Sequence, residues 1–346
     1  MSQQARPAAW LVHNGKLAPA STASLPLTTQ ALHYGTGVFE GIRAYPNSVG
    51  DSLLLFRAHD HYQRLHRSAR LLLLDLDLDV PALVQLTSEL LRRIGRREAT
   101  YVRPILHKLA LLPGQRPGVG LRGISTSLSI VTFPLGDYAP SEGLRCCISS
   151  WTRPPQSVIP VQAKVTGAYV NSALAREEAA AGGYDDAIQL TIQGEVAEAT
   201  TSNVFTVHDG LVRTPPLTAD ILPGITRDTI LTLARNVLEY PVAEASLGRT
   251  DLLNADEIFL TGTGLGVVPV TEIQGRRVGT GRPGPVGMRL RELYREAVTG
   301  RLHEAQAWIT TVPVAAPDAP AVPTETAAAV ELGGEPSLVE HSGRTL

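Results

Sequence analysis

The sequence predicts a two-domain protein of mixed α/β and α+β class. The chain has 346 residues, more than twice the length of about 150 residues that is typical of one domain. Stretches with strand and helix periodicity alternate along the chain without an internal repeat, which favours two mixed lobes over an all-α or all-β fold. We place a small N-terminal domain at 1–132, a linker at 133–141, a large domain at 142–311 and a disordered tail at 312–346.

The spacing of apolar residues predicts the elements of the first domain. Residues 52–56 form an apolar strand, and the helix that follows it directly carries its apolar side chains on one face. A second helix at 81–94 opens with a proline, which suits the first helical position. Strand-like runs at 100–112 and 125–133 follow, and the turn residues of 133–141 mark the linker.

The second domain is predicted to hold more and shorter elements. Strands are expected at 144–149, 186–192, 195–198, 204–207, 211–214, 257–260 and 267–270, and helices at 167–182, 226–237 and 285–297. The tail at 312–346 has five prolines and no aromatic residue. Such a segment cannot bury enough apolar surface to offset the entropy of ordering.

Composition excludes several classes of protein. The formal net charge of −2 argues against a general nucleic-acid binder and a polybasic membrane protein. No apolar run approaches the ~20 residues of a membrane span, and the first residues lack an apolar signal core. The adjacent Cys146 and Cys147 are the only cysteines, so neither a disulfide framework nor a zinc site is expected. We therefore expect a cytoplasmic enzyme or binding protein for small molecules.

Two glycine and histidine patterns are weak signals. The glycines of 262–266 resemble part of a dinucleotide loop, but they run into a strand-like segment rather than a helix. His59, His61 and His66 lie close together without carboxylate or cysteine partners at metal-ligand offsets. We interpret these three as solvated histidines near a helix end, and we expect no metal.

Stronger signals come from one lysine and the segments that follow it. Only three of the 31 basic residues are lysines, and Lys164 lies in an apolar setting before a helix. A lysine, unlike an arginine, can offer the free amine that forms an imine with an aldehyde. Glu198 lies on a predicted strand, 200–203 supply hydroxyl and amide donors, and 222–228 open a helix whose free N–H groups can hold a phosphate. An amine, a carboxylate and a phosphate cradle are the parts of a pyridoxal-phosphate site.

Several segments, in order along the chain, resemble the branched-chain amino-acid aminotransferases among the fold-type IV pyridoxal-phosphate enzymes. They are HYGTGVFEGIR at 33–43, Arg64-Leu65, YVRP at 101–104, Ala163-Lys164 with Tyr169 and Asn171, 198–205, ILPGITR at 221–227, Gly262-Thr263, VPV at 268–270 and GPV at 284–286. The match spans about 8–311. It implies a D-amino-acid aminotransferase-like fold, in which pyridoxal 5′-phosphate binds between a small N-terminal domain and a larger cofactor-binding domain.

The resemblance also implies roles for individual residues. Lys164 resembles the lysine that holds the cofactor as an internal aldimine and shuttles the proton between the substrate Cα and the cofactor. Glu198 resembles the partner of the pyridine nitrogen, and Tyr169 resembles the residue that bonds the phenolic oxygen. The remaining expected cofactor ligands are Arg64, Asn203, Ile225 through its backbone N–H, Thr226 and Thr263.

The substrate pocket is expected to accept both an apolar side chain and the acidic side chain of glutamate. The residues that fall where the family places this pocket are Tyr34, Phe39, Gly41, Tyr101, Arg103, Tyr138, Thr263 and Gly264. Aromatic walls suit the first side chain, and the fixed donor fork of Arg103 suits a carboxylate. Leu135 stands where the branched-chain enzymes usually carry a tryptophan, and 199–202 and 264–266 also depart from their pattern.

The expected reaction moves an amino group between an L-branched-chain amino acid (leucine, isoleucine or valine) and 2-oxoglutarate. A homodimer or larger homo-oligomer is expected, in which a neighbouring subunit completes the pocket. Three alternatives share the lysine and the glutamate: a D-amino-acid transaminase, an (R)-amine transaminase and an aminodeoxychorismate lyase. The departures leave a role in secondary metabolism open. A non-catalytic carrier of the cofactor is an alternative of a different class.

Overall fold

The computed structural model describes residues 8–109, 118–136, 140 and 142–314. The strands of this part are β1 (Trp10–His13), β2 (Lys16–Pro19), β3 (Gly37–Phe39), β4 (Ile42–Pro46), β5 (Ser52–Phe56), β6 (Thr100–Lys108), β7 (Thr126–Pro134), β8 (Leu144–Ile148), β9 (Asp186–Leu190), β10 (Val196–Ala199), β11 (Asn203–His208), β12 (Leu211–Thr214), β13 (Val242–Glu244), β14 (Glu257–Gly262), β15 (Gly266–Ile273), β16 (Arg276–Arg277) and β17 (Ile309–Pro313). The α-helices are α1 (Gln30–Tyr34), α2 (Ala58–Leu71), α3 (Val80–Ile94), α4 (Tyr169–Ala181), α5 (Ile225–Asn236), α6 (Arg249–Leu253) and α7 (Pro285–Val298).

The strands form two sheets. The first has the order β17-β5-β4-β6-β7-β1-β2, with β3 also paired to β6, and all of its pairs are antiparallel. The second has the order β10-β9-β8-β15-β14-β11-β12-β13, with β16 on β15. Because β10 also pairs with β11, six of these strands close into a ring. The fold is therefore mixed α and β, as the sequence predicts.

Each sheet buries one face against amphipathic helices. Helices α2 and α3 pack on the first sheet, where Tyr62, Leu65 and Leu90 are buried with the apolar side chains of β4 and β5. Helices α5 and α7 bury Leu233 and Leu290 in a second cluster that covers the other sheet. Among the residues that the structure describes, no helix is long and apolar enough to cross a membrane.

The longer predicted elements are confirmed, with small shifts at their ends. The helix predicted at 167–182 begins as a 3-10 turn at Thr166–Ala168 and continues as α4. The strand predicted at 100–112 ends at Lys108. Residues 110–112 of this prediction lie outside the described part of the chain. The pattern did not reveal several short elements, namely β1 to β4, α1, α6, β13, β16 and β17.

The predicted start of the tail is wrong by a few residues. Strand β17 runs to Pro313 and pairs with β5, so that Val312 lies opposite Leu53. Val312 and Val314 are buried in the first core. Burial of these two side chains contributes more free energy than is lost because Pro313 cannot donate a hydrogen bond within the edge strand. The remainder of the predicted tail, from 315, lies outside the described residues.

Candidate active site

One cavity gathers the residues that the sequence assigned to a cofactor. All eight of them line it: Arg64, Lys164, Tyr169, Glu198, Asn203, Ile225, Thr226 and Thr263. They come from α2, α4, β10, β11, α5 and the segments beside them, which are far apart in the sequence. The fold therefore brings together an amine, a phenol, a carboxylate and the start of a helix.

Backbone contacts with the first sheet hold Lys164. Its carbonyl accepts a 3.0 Å hydrogen bond from the Phe39 N–H, and the neighbouring Val165 bridges to Val38 of β3. Its own N–H donates to Ser68 Oγ at 3.2 Å. The Nζ atom donates to Tyr169 Oη at 2.5 Å, and it lies 5.0 Å from the centre of the Phe39 ring. The amine is thus aimed into the cavity beside a phenolic oxygen.

Glu198 is a buried carboxylate with polar partners on both oxygens. Oε1 pairs with Arg153 Nη2 at 2.8 Å, and Oε2 accepts from Asn203 Nδ2 at 3.1 Å and from the Leu222 N–H at 3.2 Å. Burial raises the pKa of the Glu198 carboxyl, whereas Arg153, the Leu222 N–H and the nearby Lys164 act in the opposite direction. A further cation against this carboxylate would favour its charged form.

The first turn of α5 forms an anion cradle at one end of the cavity. Gly224 is its N-cap and offers no side-chain acceptor, so the first N–H groups of the helix are available to a ligand. A Cβ at Gly224 would lie 2.0 Å from Asn203 Oδ1, which shows why a glycine is needed there. Arg64 reaches the same segment and donates to the Pro223 carbonyl at 2.8 Å. A helix N-terminus with an adjacent guanidinium is a site for a phosphate.

A buried carboxylate fixes the direction of Arg64. Glu40 accepts from Arg64 Nε at 2.7 Å and from Nη2 at 2.8 Å, and it accepts from His61 Nδ1 at 2.7 Å. Burial alone would raise the pKa of Glu40, but Arg64 and His61 together hold it well below its usual range. Burial lowers the pKa of His61 despite the contact with Glu40. The neutral His61 therefore donates to Glu40 and leaves Arg64 as the cation of this group.

A second cavity adjoins the first and has a different lining. It shares Arg64, Lys164, Tyr169 and Thr263 with the cofactor cavity. Five predicted substrate residues that do not line the cofactor cavity line this one, namely Phe39, Gly41, Tyr101, Arg103 and Gly264. Leu135, which stands where the branched-chain enzymes usually carry a tryptophan, also lines it. The predicted substrate residues that occupy this wall therefore lie next to the predicted reactive amine.

Within this second cavity, an aromatic pair holds Arg103. Arg103 Nη2 donates to Tyr101 Oη at 2.9 Å, and the guanidinium lies 4.6 Å from the centre of the Phe39 ring. A Cβ at Gly41 would lie 1.9 Å from Tyr101 Oη, so only a glycine leaves room for that hydroxyl. The wall thus combines apolar rings with one fixed cation, which suits both an apolar and an acidic side chain.

Of the predicted substrate residues, one lines neither cavity and another lies outside the described part of the chain. Tyr34, at the end of α1, has 46% of its surface exposed and does not line either cavity of its own chain. Tyr138 lies outside the described residues.

Two residues that contribute to the site were missed by the sequence reasoning. Arg153 pairs with Glu198, and Glu40 holds Arg64. Nothing in the pattern separates Arg153 from the many other arginines. A signal was present for Glu40, since it lies inside the matched run at 33–43 and a glutamate between apolar residues needs a partner when it is buried.

The interpretation of the three histidines needs a correction, whereas the glycine run behaves as expected. His61 is buried against Glu40 rather than solvated, because α2 turns this position toward β3.

The glycines of 262–266 form the turn between the antiparallel strands β14 and β15, so they do not open a helix. This hairpin is incompatible with a dinucleotide loop.

Comparison with known proteins places these features in one family. The family model for class IV aminotransferases matches residues 37–273. A probable branched-chain-amino-acid aminotransferase of Aquifex aeolicus is 41% identical over 301 residues, which covers 86% of this chain and 95% of the relative.

Solved structures agree with this match. The chain resembles the branched-chain aminotransferase of Thermoproteus uzoniensis with norvaline, with a TM-score of 0.83, 38% identity and coverage of 88% of this chain and 99% of that one. It also resembles the PLP-form (holo-form) of the branched-chain amino acid aminotransferase from Thermobaculum terrenum, with a TM-score of 0.84, 36% identity and coverage of 89% and 99%.

Proposed function

This chain belongs to the class IV aminotransferase family, and from that premise we propose that it moves an amino group between an L-branched-chain amino acid and 2-oxoglutarate. The observation that carries the proposal is the convergence of Lys164 Nζ, Tyr169 Oη and the Glu198–Arg153 pair in one cavity. Relatives and structural neighbours that are called branched-chain aminotransferases support leucine, isoleucine or valine as the donor.

The cavity fits pyridoxal 5′-phosphate. Lys164 offers the amine for covalent attachment, and Tyr169 offers a hydroxyl beside it. The Glu198 carboxylate can pair with a ring nitrogen. The uncapped first turn of α5 and Arg64 can hold the phosphate. When bound, the cofactor supplies an aldehyde that takes the amino group and a ring that accepts an electron pair from the substrate Cα.

The protein supplies proton transfer and charge stabilisation. Lys164 Nζ would take the proton from the Cα of the donor and deliver it to the cofactor carbon that receives the amino group, and it would move a proton in the opposite direction for the acceptor. Tyr169 Oη accepts a hydrogen bond from this amine and keeps it in place. Burial raises the pKa of the Glu198 carboxyl, whereas Arg153 and the Leu222 N–H favour its charged form. A charged Glu198 keeps a ring nitrogen protonated, which makes the ring a better electron acceptor.

The second cavity supports recognition of both substrates. Phe39 and Leu135 provide apolar surface for an aliphatic side chain. Arg103, which is oriented by Tyr101, can bind the side-chain carboxylate of glutamate or 2-oxoglutarate. Arg103 is therefore proposed as the residue that admits the acidic substrate.

We further propose that the active protein is a homodimer or larger homo-oligomer. Tyr34 is half exposed, and Leu27 and Leu32 near it are 83% and 68% exposed. Apolar side chains clustered this way favour contact with another chain. In such an assembly Tyr34 would reach the pocket of the neighbouring subunit. The mass of the protein in solution, measured by light scattering, tests this proposal, and a monomer that retains full turnover contradicts it.

The remaining sequence predictions stay proposals. These are the small domain at 1–132, the linker at 133–141, the large domain at 142–311 and the cytoplasmic location.

A substrate panel tests the proposed reaction. The purified protein with pyridoxal 5′-phosphate is assayed with L-leucine, L-isoleucine, L-valine, D-alanine, an (R)-amine and aminodeoxychorismate, and with 2-oxoglutarate as the acceptor where one is needed. We expect turnover of the L-aliphatic amino acids. Turnover confined to D-alanine, the (R)-amine or aminodeoxychorismate would contradict the proposal.

A lysine variant separates an enzyme from a carrier. Lys164→Ala is expected to lower turnover by at least ~10²-fold, because positioned acid–base groups contribute ~10²–10⁴-fold. Lys16→Ala, on the exposed strand β2, is the matched control and should keep full turnover. If both variants keep full turnover, Lys164 is not catalytic. If the wild-type protein binds the cofactor but turns over none of the substrates, the carrier alternative is favoured.

A further inference from the structure

Arg57 holds an uncommon backbone conformation where the first sheet meets α2. It is the N-cap of α2, and its φ of 50° and ψ of 33° lie in the left-handed region. Residues other than glycine rarely adopt this conformation unless their surroundings impose it. Here the Arg57 N–H donates to the Trp308 carbonyl at 2.7 Å, and the guanidinium lies 5.1 Å from the centre of the Trp308 ring.

This conformation sends the buried Arg57 side chain onto α5. Its Nη1 atom lies 2.7 Å from Asp228 Oδ2, 3.0 Å from Thr229 Oγ1 and 3.3 Å from the Ile225 carbonyl. Its Nε atom donates to Asp60 Oδ2 at 2.6 Å on its own helix. One guanidinium therefore ties the first turn of α2 to the first turn of α5.

Arg57 and Arg64 are two helical turns apart and reach the same segment. Arg64 donates to the Pro223 carbonyl, and Arg57 contacts Asp228 and Thr229, so both guanidinium groups reach 222–229. Arg64 also lines the cofactor cavity, whereas Arg57 lies outside that lining. The two arms of the phosphate cradle, Arg64 and the N-terminus of α5, come from different parts of the chain. Arg57 is a direct link between them.

We propose that Arg57 is a positioning residue that sets the phosphate cradle by holding the first turn of α5 against α2. This inference rests on the proposed function, since it assumes that the cradle binds the phosphate of pyridoxal 5′-phosphate. Without the link, the Ile225 N–H and Thr226 move relative to Arg64. The affinity for a phosphate-bearing ligand then falls, because the loss of one hydrogen bond to a charged group costs about ten- to hundredfold in affinity.

The test compares two ligands that differ only in the phosphate. The dissociation constants of pyridoxal 5′-phosphate and of pyridoxal are measured by absorbance titration of the cofactor-free protein. The variants are Arg57→Met, Arg57→Lys and Asp228→Asn. The last of these leaves Arg57 in place and removes the charge of its partner on α5. The matched control is Arg235→Met on the same helix, where Arg235 is exposed and its ion pair with Glu244 is 3.7 Å long.

We expect Arg57→Met to raise the dissociation constant of pyridoxal 5′-phosphate at least about tenfold and that of pyridoxal less than about twofold. Arg57→Lys and Asp228→Asn should show smaller shifts in the same direction, because each keeps part of the link. Arg235→Met should change neither constant. A purely structural role for Arg57 would weaken both ligands by the same factor, and that result overturns the inference, as does an unchanged affinity for both ligands.

Two further outcomes keep the test decisive. If Arg57→Met does not fold, as judged by its near-ultraviolet circular dichroism, Arg57→Lys and Asp228→Asn decide the question by the same ratio of constants. In the wild-type protein, inorganic phosphate should raise the melting temperature of the cofactor-free form. If the wild type binds pyridoxal as tightly as pyridoxal 5′-phosphate, the proposed cofactor site itself is wrong. If the wild type binds pyridoxal 5′-phosphate more tightly than pyridoxal and all Arg57 variants show the same preference, only the role of Arg57 is refuted.

Discussion

At the scale of single residues, Glu198 shows how neighbours replace water around a buried charge. Burial raises the pKa of this carboxyl, so folding by itself disfavours the charged form. Arg153, Asn203 and the Leu222 N–H restore the interactions that solvent would have provided. Burying this carboxylate costs stability, and it lies in a site where a charged carboxylate can take part in chemistry. Such shifted pKa values are typical of functional sites.

We expect Glu198→Gln to lower both stability and turnover. The amide oxygen can still accept from Arg153, but the amide NH2 then faces two donors, Asn203 Nδ2 and the Leu222 N–H, and the buried Arg153 loses its counter-ion. The free energy of unfolding of the cofactor-free protein should therefore fall by about 3–5 kcal/mol. Turnover of L-leucine with 2-oxoglutarate should fall about 10²-fold or more, because a neutral amide does not keep a ring nitrogen protonated. Urea unfolding and steady-state kinetics measure the two effects. Glu195→Gln, on a partly exposed residue that contacts Ser246, is the control and should keep turnover. Full turnover by Glu198→Gln would contradict the assigned role.

The buried His61 should make stability depend on pH. Because burial lowers its pKa, the unfolded chain takes up a proton near pH ~6.5 that the folded chain does not. The contribution of His61 is therefore complete above this pH and is lost as the pH falls toward its folded pKa, by at most ~1.4 kcal/mol per pH unit. The depressed pKa of Glu40 adds a further loss, but only below its unfolded pKa of ~4.3.

Urea unfolding at several pH values between ~7 and ~5 tests whether the free energy of unfolding decreases as the pH falls. His61→Asn keeps a donor for Glu40 but cannot be protonated, so its stability should fall less steeply with pH than that of the wild type. His59→Asn, on an exposed histidine of the same helix, is the matched control. A slope for His61→Asn equal to that of the wild type would show that His61 titrates normally.

At the scale of the elements, local periodicity accounts for what could be predicted. Helices α2, α3, α5 and α7 each carry an apolar stripe, and strand β5 is apolar after its first residue, Ser52, so both signals are local. The three-residue strand β3 pairs with β6, a partner more than fifty residues away. No local pattern records such pairing, which is why β3 was missed. Strand β4 pairs with β6 and also forms a hairpin with the adjacent β5.

The same contrast applies to the site. Lys164 and Glu198 lie in recognisable segments, and their chemistry can be inferred from residue type and setting. Arg153 has no such mark, since its role arises only when β10 brings Glu198 beside it. Arg57 likewise acts through contacts between elements, which a single sequence does not display.

Gly41 lies between β3 and β4, against the side chain of Tyr101 on β6. In Gly41→Ala the new Cβ would displace Tyr101, whose hydroxyl accepts from Arg103. We expect the KM for 2-oxoglutarate to rise about tenfold, because one misplaced bidentate group costs ~1–3 kcal/mol, with a smaller effect on leucine. Gly120→Ala is the control, since a Cβ there meets nothing within 4 Å. Equal losses for both substrates would argue against a specific role for Arg103.

At the scale of the whole molecule, the chain returns to its first sheet after completing the second. Strand β17 follows α7 and a 3-10 turn, yet it pairs with β5 at the edge of the first sheet. The Trp308 ring beside this strand packs against Phe56 and lies over the guanidinium of Arg57. The end of the described chain therefore supports the start of α2, which carries Arg57 and Arg64.

Two truncations test how far this support extends. A chain that ends at Val314 keeps β17, so its melting temperature and turnover should match those of the full chain if the tail is disordered as predicted. A chain that ends at Trp308 loses Val312 and Val314, which are 0% and 3% exposed, and uncovers the edge of β5. Burial of the two valines alone contributes about 3–6 kcal/mol, a large part of the ~5–15 kcal/mol that stabilises a typical domain. We expect this shorter chain to melt at least about 10 °C lower and to aggregate through the uncovered strand, as measured by thermal unfolding and light scattering. Equal melting temperatures for the two truncated chains would show that β17 adds nothing to the first sheet.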